Sequence, residues 1–280
     1  MRLTAEVPGA DTAEIIEACR RLGISGTGFD PSSNLDLATA RTAFAPFFAA
    51  GLSIVQVGCY RNLISVDEKV RQEGIDDVVF AMNVAGKTGV ESVVCGGGHR
   101  DPAVPTARRS VHRDNWTDHA LDVMIESCRE IVARVDEDAA PLCLEPWVIT
   151  CLNSPARLER VVRAVDHPKL AVDLDLANLV TLDYCFETDR LIADCFDRFG
   201  EKVRLVHLKD ARLTPEPYIY HIGEAVVGDG MIDHAALLRQ LAGQAPDASL
   251  MVEHLSSEVD IARALGHMRA VAANLDYEFN

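Results

Sequence analysis

The feature that most constrains the fold of this 280-residue chain is a regular alternation of short β-branched runs with longer segments of helical periodicity. Such an alternation predicts a parallel sheet whose strands are joined by crossover helices. The predicted strands are Arg2–Val7, Ser25–Phe29, Ser53–Gly58, Ser92–Cys95, Leu142–Glu145, Leu170–Asp175, Val203–His207 and Leu250–Glu253. The predicted helices are Asp11–Leu22, Leu35–Ala50, Asp67–Ala85, Asn115–Val135, Pro155–Val165, Thr181–Phe199, Asp233–Leu241 and Ser257–Asn274.

Eight β/α units in a chain of this length are typical of a (β/α)8 TIM barrel, whereas a doubly wound open sheet rarely needs eight strands. No Pro/Ser-rich or low-complexity linker divides the sequence. We therefore predict the α/β class and one barrel domain over residues 1–280. Residues suited to helix ends agree with this pattern: Ser154 and Asp233 as N-caps, and Gly23, Gly51 and Gly86 just after helices.

Composition excludes several functional classes. The formal net charge is -16 and the sequence pI is about 4.9, so a nucleic-acid backbone would be repelled. The N-terminal segment lacks a signal-peptide pattern, and no run reaches the roughly 18 apolar residues of a membrane span. We expect a cytoplasmic protein that binds neither nucleic acid nor membrane. The eight cysteines contain no CxxC pair, and we interpret them as small buried hydrophobes outside any site.

Polar residues close four consecutive predicted strands. Glu145 ends "LCLEPW", Asp175 ends the strand of "LAVDLDLANL", His207 stands in "LVHLKD", and Glu253 follows "LMV". Each alone has an ordinary explanation, such as a solvated strand end or a core histidine. On adjacent strands of one barrel they would converge, and three carboxylates repel one another unless a cation lies among them. Oxygen ligands with a single nitrogen suit Mn²⁺, Mg²⁺ or Co²⁺ better than a structural zinc.

Three further polar residues lie beside these strand ends. Asp173 stands two residues before Asp175, so it projects to the same face and should lie below the metal. Lys209 and Asp210 stand two and three residues after His207. We expect both beside the metal, with Lys209 adding positive charge where an oxyanion develops.

These pieces resemble the xylose isomerase-like TIM-barrel superfamily, in particular its sugar phosphate isomerase/epimerase group with inosose dehydratase, hydroxypyruvate isomerase and ketose 3-epimerase relatives. The resemblance runs from "ACRRLGISGTGFD" to "GDGMIDHAALLRQL" and is most specific in "LCLEPW", "DLDLANL", "LVHLKD" and "MVEHL". It implies that the metal ligands are Glu145, Asp175, His207 and Glu253. Where the family often has a histidine, this chain has Asn178, a poorer metal ligand that can still bind a sugar hydroxyl. That difference argues against the related apurinic endonucleases.

Several residues are candidates for substrate contact. His99 follows the glycines of "VVCGGG", Arg212 and His221 lie in the loop after strand seven, and Trp147 could stack on a sugar face, as could Tyr60. The predicted substrate-binding set consists of His99, Trp147, Asn178, Arg212 and His221. The histidines predicted to lie on helices or turns, outside the site, are His112, His119, His167, His234, His254 and His267.

The pattern favours a divalent-metal-dependent sugar isomerase or epimerase acting through proton abstraction next to a carbonyl and an enediolate. Glu145 and Glu253 would be base and acid, assisted by Lys209. Mn²⁺ is the first choice of metal, with Mg²⁺, Co²⁺ or Zn²⁺ as alternatives.

Two other functions stay open: a lyase or dehydratase acting on a keto-sugar or inosose, and a non-catalytic sugar- or partner-binding barrel. The substrate would be a small sugar or polyol, unphosphorylated because the sequence shows no P-loop or dense basic loop. We expect a homo-oligomer, a dimer or tetramer.

Overall fold

Eight parallel strands form a barrel in the computed structural model, which describes residues 1–9, 11–31, 35–216 and 219–280. The barrel strands are β1 (Arg2–Ala5), β2 (Gly26–Phe29), β3 (Ser53–Gly58), β4 (Val93–Gly96), β5 (Leu142–Glu145), β6 (Leu170–Asp175), β7 (Val203–Leu208) and β10 (Ser249–Val252). Their hydrogen-bonded order is β1-β10-β7-β6-β5-β4-β3-β2. The two ends of this order lie side by side, since Gly26 of β2 packs against Thr4 of β1. The predicted TIM barrel is therefore confirmed.

A helix follows each barrel strand. The helices are α1 (Thr12–Leu22), α2 (Leu37–Ala49), α3 (Glu68–Thr88), α4 (Asp118–Arg134), α5 (Pro155–Val165), α6 (Thr188–Phe199), α7 (His234–Gln244) and α8 (Glu258–Ala273). All eight were predicted, although α6 begins at Thr188 rather than Thr181. Within the described residues, no helix combines the length and the apolar composition that crossing a membrane requires.

Most predicted helix ends have the local chemistry that the sequence indicated. The Asp233 side chain accepts a hydrogen bond from the backbone N–H of Ala236 at 2.8 Å. Ser154 occupies the N-cap position of α5, although its side chain makes no capping hydrogen bond among the described residues. Gly23 and Gly51 follow α1 and α2 with φ angles of 64° and 77°. This left-handed backbone favours glycine because a β-carbon would crowd the chain.

Gly86 is the exception among the predicted helix ends. It lies inside α3, which continues to Thr88 and ends at Gly89 with φ 81°. A β-carbon at position 86 would clash with the backbone of Asp138 and Ala139. Glycine at this position therefore permits a close helix–loop contact rather than a helix stop.

The lower half of the barrel interior is apolar. One buried cluster fills it, with side chains from six strands: Val55, Val94, Cys143, Ala171, Leu205 and Met251. A larger apolar core lies between the strands and the surrounding helices. All eight cysteines are buried, as the sequence predicted.

A two-stranded antiparallel hairpin follows β7, where the sequence predicted a loop. It consists of β8 (Asp210–Glu216) and β9 (Ile219–Ala225). The expectation that Asp210 lies beside the metal is not met. Its buried carboxylate instead accepts backbone N–H groups of the Ala211, Gly228, Gly230 and Ile232 residues, at 2.9–3.0 Å. Asp210 thus ties the base of the hairpin to the loop before α7.

Candidate metal centre

Four side chains from neighbouring strand ends meet above the apolar floor of the barrel. Glu145, Asp175, His207 and Glu253 each offer one ligand atom, and these atoms all lie within 4.8 Å of one another. Period-two alternation explains the arrangement, because each ligand stands two residues after an apolar or buried residue of the same strand face. The structure therefore brings together the four residues that the sequence predicted as ligands.

The second ring nitrogen of His207 has a fixed partner. Its Nε2 lies 2.7 Å from Oε1 of Gln56, a buried residue of β3, and can only donate to that oxygen. The lone pair of a neutral His207 is then on Nδ1. A metal-binding histidine is usually held in this way, with its other nitrogen donating to an oxygen.

The Nδ1 atom of His207 is surrounded by carboxylate oxygens. It lies 3.0 Å from Asp173 Oδ2, 3.0 Å from Glu253 Oε1 and 3.6 Å from Glu145 Oε1. The carboxylate of Asp173 is fully buried, and neither of its oxygens has a hydrogen-bond partner among the described residues. A lone pair facing carboxylates is repelled unless a proton or a metal ion lies between them.

The ammonium group of Lys209 supplies part of the missing positive charge. Its Nζ lies 2.6 Å from Asp175 Oδ2, 2.5 Å from Glu253 Oε1 and 3.9 Å from Glu145 Oε1. Burial opposes this charge, but Asp175 and Glu253 outweigh burial and raise the pKa of Lys209. Lys209 is thus an internal counter-ion of the cluster, and its catalytic role stays a prediction.

The carboxylates of the cluster differ in how readily they ionise. Burial raises the pKa of Asp175 to about 6, although Lys209 acts in the opposite direction. Burial also raises the pKa of Asp173 well above its ordinary value, against the effect of His207. Burial also acts to raise the pKa of Glu145 and of Glu253, but His207 and Lys209 outweigh burial and lower the pKa of both residues. Both glutamates are therefore ionised at neutral pH.

The excess of carboxyl groups in the cluster, and its buried polar atoms that lack hydrogen bonds among the described residues, are both suited to a divalent cation. Three buried carboxyl groups, Asp173, Asp175 and Glu253, and the partly buried Glu145 face one lysine and one histidine. Burial disfavours a proton on His207, yet Asp173 and Glu253 raise its pKa well above the ordinary value, which shows how strongly the cluster attracts positive charge. Three carboxylates and one imidazole form a mixed oxygen and nitrogen set of the kind that Mn²⁺, Mg²⁺ and related ions accept.

A cavity of about 370 Å³ opens over the cluster. We call it the site cavity. Glu145, Lys209 and Asn178 lie in its wall, and Gly96–Gly98 lets backbone form part of the same wall. Glu253 lies deeper, with only 6% of the residue exposed.

The predicted substrate-binding residues divide into two groups. Asn178 and Trp147 line the site cavity, and Asn178 Nδ2 donates to Glu145 Oε1 at 2.9 Å. His99 is fully buried instead, with its ring 3.2 Å from Asn62 and 2.8 Å from the Ala107 carbonyl. Its hydrogen bonds thus hold the loop after β4.

The other two predicted contacts lie on the hairpin. Arg212 is exposed and donates to the backbone carbonyl of Asp229, at 2.6 Å for Nη2. His221 is exposed on β9. Alternation along the strand explains its position, because Tyr220, Ile222 and Glu224 belong to one face of β9 and His221 to the other.

Several cavity residues were not in the predicted set. The prediction that His254 lies outside the site is wrong, because His254 lines the site cavity. Its Nδ1 lies 3.1 Å from Oε2 of Glu224, a residue of β9. Its φ of 61° is left-handed, a conformation that costs a non-glycine residue about 1–3 kcal/mol and is concentrated at functional sites. The only feature of the sequence that could have placed His254 in the cavity is its position next to Glu253.

Two adjacent arginines also reach the site cavity from the loop after β4. Arg108 stacks over the ring of Tyr60 at 3.9 Å and pairs with Asp30 at 3.3 Å. Arg109 lies 5.2 Å from the ring centroid of Trp147. The sequence "ARRS" was the available signal. The sequence favoured an unphosphorylated substrate because it shows no dense basic loop. Since Arg108 and Arg109 both line the site cavity, that reason no longer holds.

Fold and site together define a class of protein: a (β/α)8 barrel whose last four parallel strands present a buried carboxylate and imidazole cluster to a cavity. Residues 3–271 match the family model described as xylose isomerase-like TIM barrel. The chain belongs to this family, which confirms the resemblance seen in its sequence.

Solved structures of the same fold include proteins with metals and sugars. A xylose isomerase-like TIM barrel protein from Mycobacterium smegmatis in complex with magnesium has 18% identity and a TM-score of 0.69, covering 92% of this chain and 87% of that one. A D-psicose 3-epimerase with D-tagatose from Clostridium cellulolyticum H10 has 16% identity and a TM-score of 0.73, covering 97% and 99%. The IOLI protein with a zinc atom has 15% identity and a TM-score of 0.73, covering 98% of both chains. At these identities the likeness shows the fold alone. A search of curated protein sequences found no match.

Proposed function

We propose that this protein is a divalent-metal-dependent sugar isomerase or epimerase that moves a proton on a carbon next to a carbonyl. One observation carries the proposal: four predicted ligands converge within 4.8 Å, beneath a cavity of about 370 Å³ that is large enough for a sugar. The solved D-psicose 3-epimerase and a D-tagatose 3-epimerase-like protein share the fold. They support sugar chemistry as the first activity to test.

Glu145, Asp175, His207 and Glu253 would hold the metal ion, with Mn²⁺ as our first choice. When bound, the ion would polarise the substrate carbonyl and stabilise the negative charge that develops on its oxygen. Gln56 would keep His207 in the tautomer that presents Nδ1. We expect the protein to act in the cytoplasm. We also expect it to be a dimer or tetramer, and light scattering of the purified protein would measure this oligomeric state.

Glu145 and Glu253 would transfer the proton. Glu145 is the better placed base, because it is ionised and lines the site cavity, where a substrate carbon would lie. Glu253 is ionised as well and lies deeper, 2.5 Å from the ammonium of Lys209. We assign Glu253 the complementary acid or base role and Lys209 the role of holding positive charge beside the reacting carbon. Asn178 would orient Glu145, and Trp147 would pack on the sugar.

Isotope exchange would test this function. The protein is freed of metal with a chelator, reloaded with Mn²⁺, Mg²⁺, Co²⁺ or Zn²⁺, and incubated in D₂O with a panel of ketoses and keto-sugars. We expect deuterium to enter a sugar of unchanged formula, only in the metal-loaded samples. If a sugar instead loses water or a linked group, the protein is a lyase and the proposed isomerase or epimerase function is wrong. Tight sugar binding with no exchange and no product would support the non-catalytic barrel.

A further inference from the structure

Asp173 lies inside the barrel, between the apolar floor and the four predicted metal ligands. On β6, Ala171 belongs to the floor cluster and Asp175 to the ligand group, and Asp173 stands between them on the same strand face. None of its surface is exposed. Burying a carboxylate without a partner costs at least several kcal/mol. A charged side chain at this position therefore needs a cation or a hydrogen-bond donor.

The two aspartates of β6 differ in their partners. Asp175 Oδ2 accepts a hydrogen bond from the Lys209 ammonium at 2.6 Å, and its Oδ1 accepts one from the backbone N–H of Asn178 at 3.0 Å. Neither oxygen of Asp173 accepts a hydrogen bond from any residue in the described part of the chain. The carboxylate of Asp173 thus has its full capacity to bind a cation, whereas that of Asp175 is partly used.

The carboxylate of Asp173 faces the ligand atom of His207. Its Oδ2 lies 3.0 Å from His207 Nδ1. The same distance separates Nδ1 from Glu253 Oε1, and Glu145 Oε1 is farther away at 3.6 Å. Adjacent ligand atoms around an octahedral ion with bonds of about 2.1 Å are roughly 3.0 Å apart. By its distance from Nδ1, Asp173 is therefore as well placed as Glu253 to share an ion with His207.

We infer that Asp173 is an additional ligand of the metal ion. The inference rests on the divalent-metal site of the proposed function and adds one residue to its ligand set. Asp173 is not one of the four residues whose ligand atoms lie within 4.8 Å of one another. It stands two residues nearer the floor than Asp175, so it would bind the ion from the floor side while Asp175 binds it from the cavity side. The alternative role is a purely structural ion pair with His207.

Asp173→Asn and Asp173→Ala test this role. The first keeps the shape of the side chain and removes its charge, and the second removes both oxygens. Chelator-treated wild type and variants are titrated with Mn²⁺ by calorimetry and then loaded with Co²⁺, whose visible absorption depends on the number and type of its ligands. We expect the Mn²⁺ affinity to fall at least tenfold in both variants. The Co²⁺ bands should change in position and intensity.

Ser92→Ala is the matched control. Ser92 is buried immediately before β4, and its hydroxyl donates to the carbonyl of Val55, a residue of the floor cluster, at 2.7 Å. Its replacement removes a buried polar group that is not part of the charged cluster. The Mn²⁺ affinity and the Co²⁺ spectrum of this variant should therefore equal those of the wild type. Circular dichroism would establish that each variant is folded.

A ligand and a residue that acts indirectly give different results. Loss of a nearby charge weakens metal binding but leaves the ligands of Co²⁺ in place, so a lower affinity with an unchanged Co²⁺ spectrum would overturn the inference. Wild-type Mn²⁺ affinity in both Asp173 variants would overturn it as well. A structural ion pair would be recognised by wild-type metal binding together with a lower urea midpoint of metal-free Asp173→Asn.

The inference and the proposed function fail separately. If both Asp173 variants behave as expected but no deuterium enters any sugar in D₂O, Asp173 is a ligand and the isomerase or epimerase chemistry is wrong. If ketoses exchange deuterium with the metal-loaded wild type and the Asp173 variants bind metal as the wild type does, the chemistry stands and the ligand assignment is wrong.

Discussion

The floor and the mouth of the barrel are built on the same strands but have opposite chemistry. On β7, Leu205 lies in the apolar floor cluster, while His207 and Lys209, two and four residues later, lie in the charged cluster. On β5, Cys143 and Glu145 are related in the same way. The floor is stabilised by apolar packing, whereas in the mouth both carboxylate oxygens of Asp173 are buried without a hydrogen bond to any residue in the described part of the chain. A strand can thus stabilise the fold with one residue and supply a binding group with the next one on the same face.

The largest effect should come from the glutamates of the mouth. Gln keeps the shape of Glu but cannot accept a proton at neutral pH, so Glu145→Gln should lower turnover by roughly 10² to 10⁴-fold while metal binding is measurable. Glu253→Gln should act similarly, and the double variant should lose less than the product of the two. Steady-state rates and metal analysis of all three would check this. Near-normal turnover in both single variants, with metal bound, would show that these carboxylates are not the proton carriers.

A ligand deletion should separate metal binding from folding. His207→Ala removes Nδ1 from the cluster, and we expect metal affinity to fall by more than the roughly 10–100-fold that loss of an outer hydrogen-bond partner costs. The fold should persist, because the apolar floor is intact. Metal analysis and circular dichroism measure the two properties. Full metal occupancy in this variant would contradict the assignment of His207.

Leu205→Ala is the reciprocal experiment on the same strand. It should destabilise the protein by about 2–5 kcal/mol, because it opens a cavity in the packed floor. The metal-to-protein ratio of the folded variant should equal that of the wild type. Urea unfolding and metal analysis would provide the two numbers. Loss of metal at a small stability cost would mean that floor and mouth are not separable.

The smallest effect concerns the thiols, which report on burial alone. Burial raises the pKa of Cys95 to about 11 and that of Cys59 to about 12, against 9.0 for an ordinary thiol. Both should resist iodoacetamide in the folded protein at mildly alkaline pH and react in urea, as mass spectrometry would show. A raised pKa in the folded state also means that stability declines as pH rises above 9.0, since unfolding then releases thiol protons. Rapid labelling of the native protein would indicate a looser core.

The sequence predicted the strand ends well because strand position and period-two alternation are local properties. Glu145, Asp175, His207 and Glu253 follow from where each strand stops. The loops depend on distant contacts instead. The position of His99 follows from its bonds to Asn62, and His254 enters the cavity through a left-handed backbone that no sequence pattern announces. The sequence did not predict the hairpin, because Asp210 was assigned to the metal site. Its carboxylate instead accepts hydrogen bonds from backbone N–H groups about twenty residues further along the chain.

The anchoring of Asp210 has a consequence for engineering. One carboxylate fastens the base of the hairpin through four backbone N–H groups, while the predicted metal ligands all belong to the barrel strands or follow them directly. The hairpin is therefore an exchangeable module. Grafting a different sequence between Ala211 and Ala225 would reshape the part of the site-cavity wall to which Glu224 belongs and leave the predicted metal ligands in place, so libraries restricted to this segment offer a direct way to change which compounds the barrel accepts.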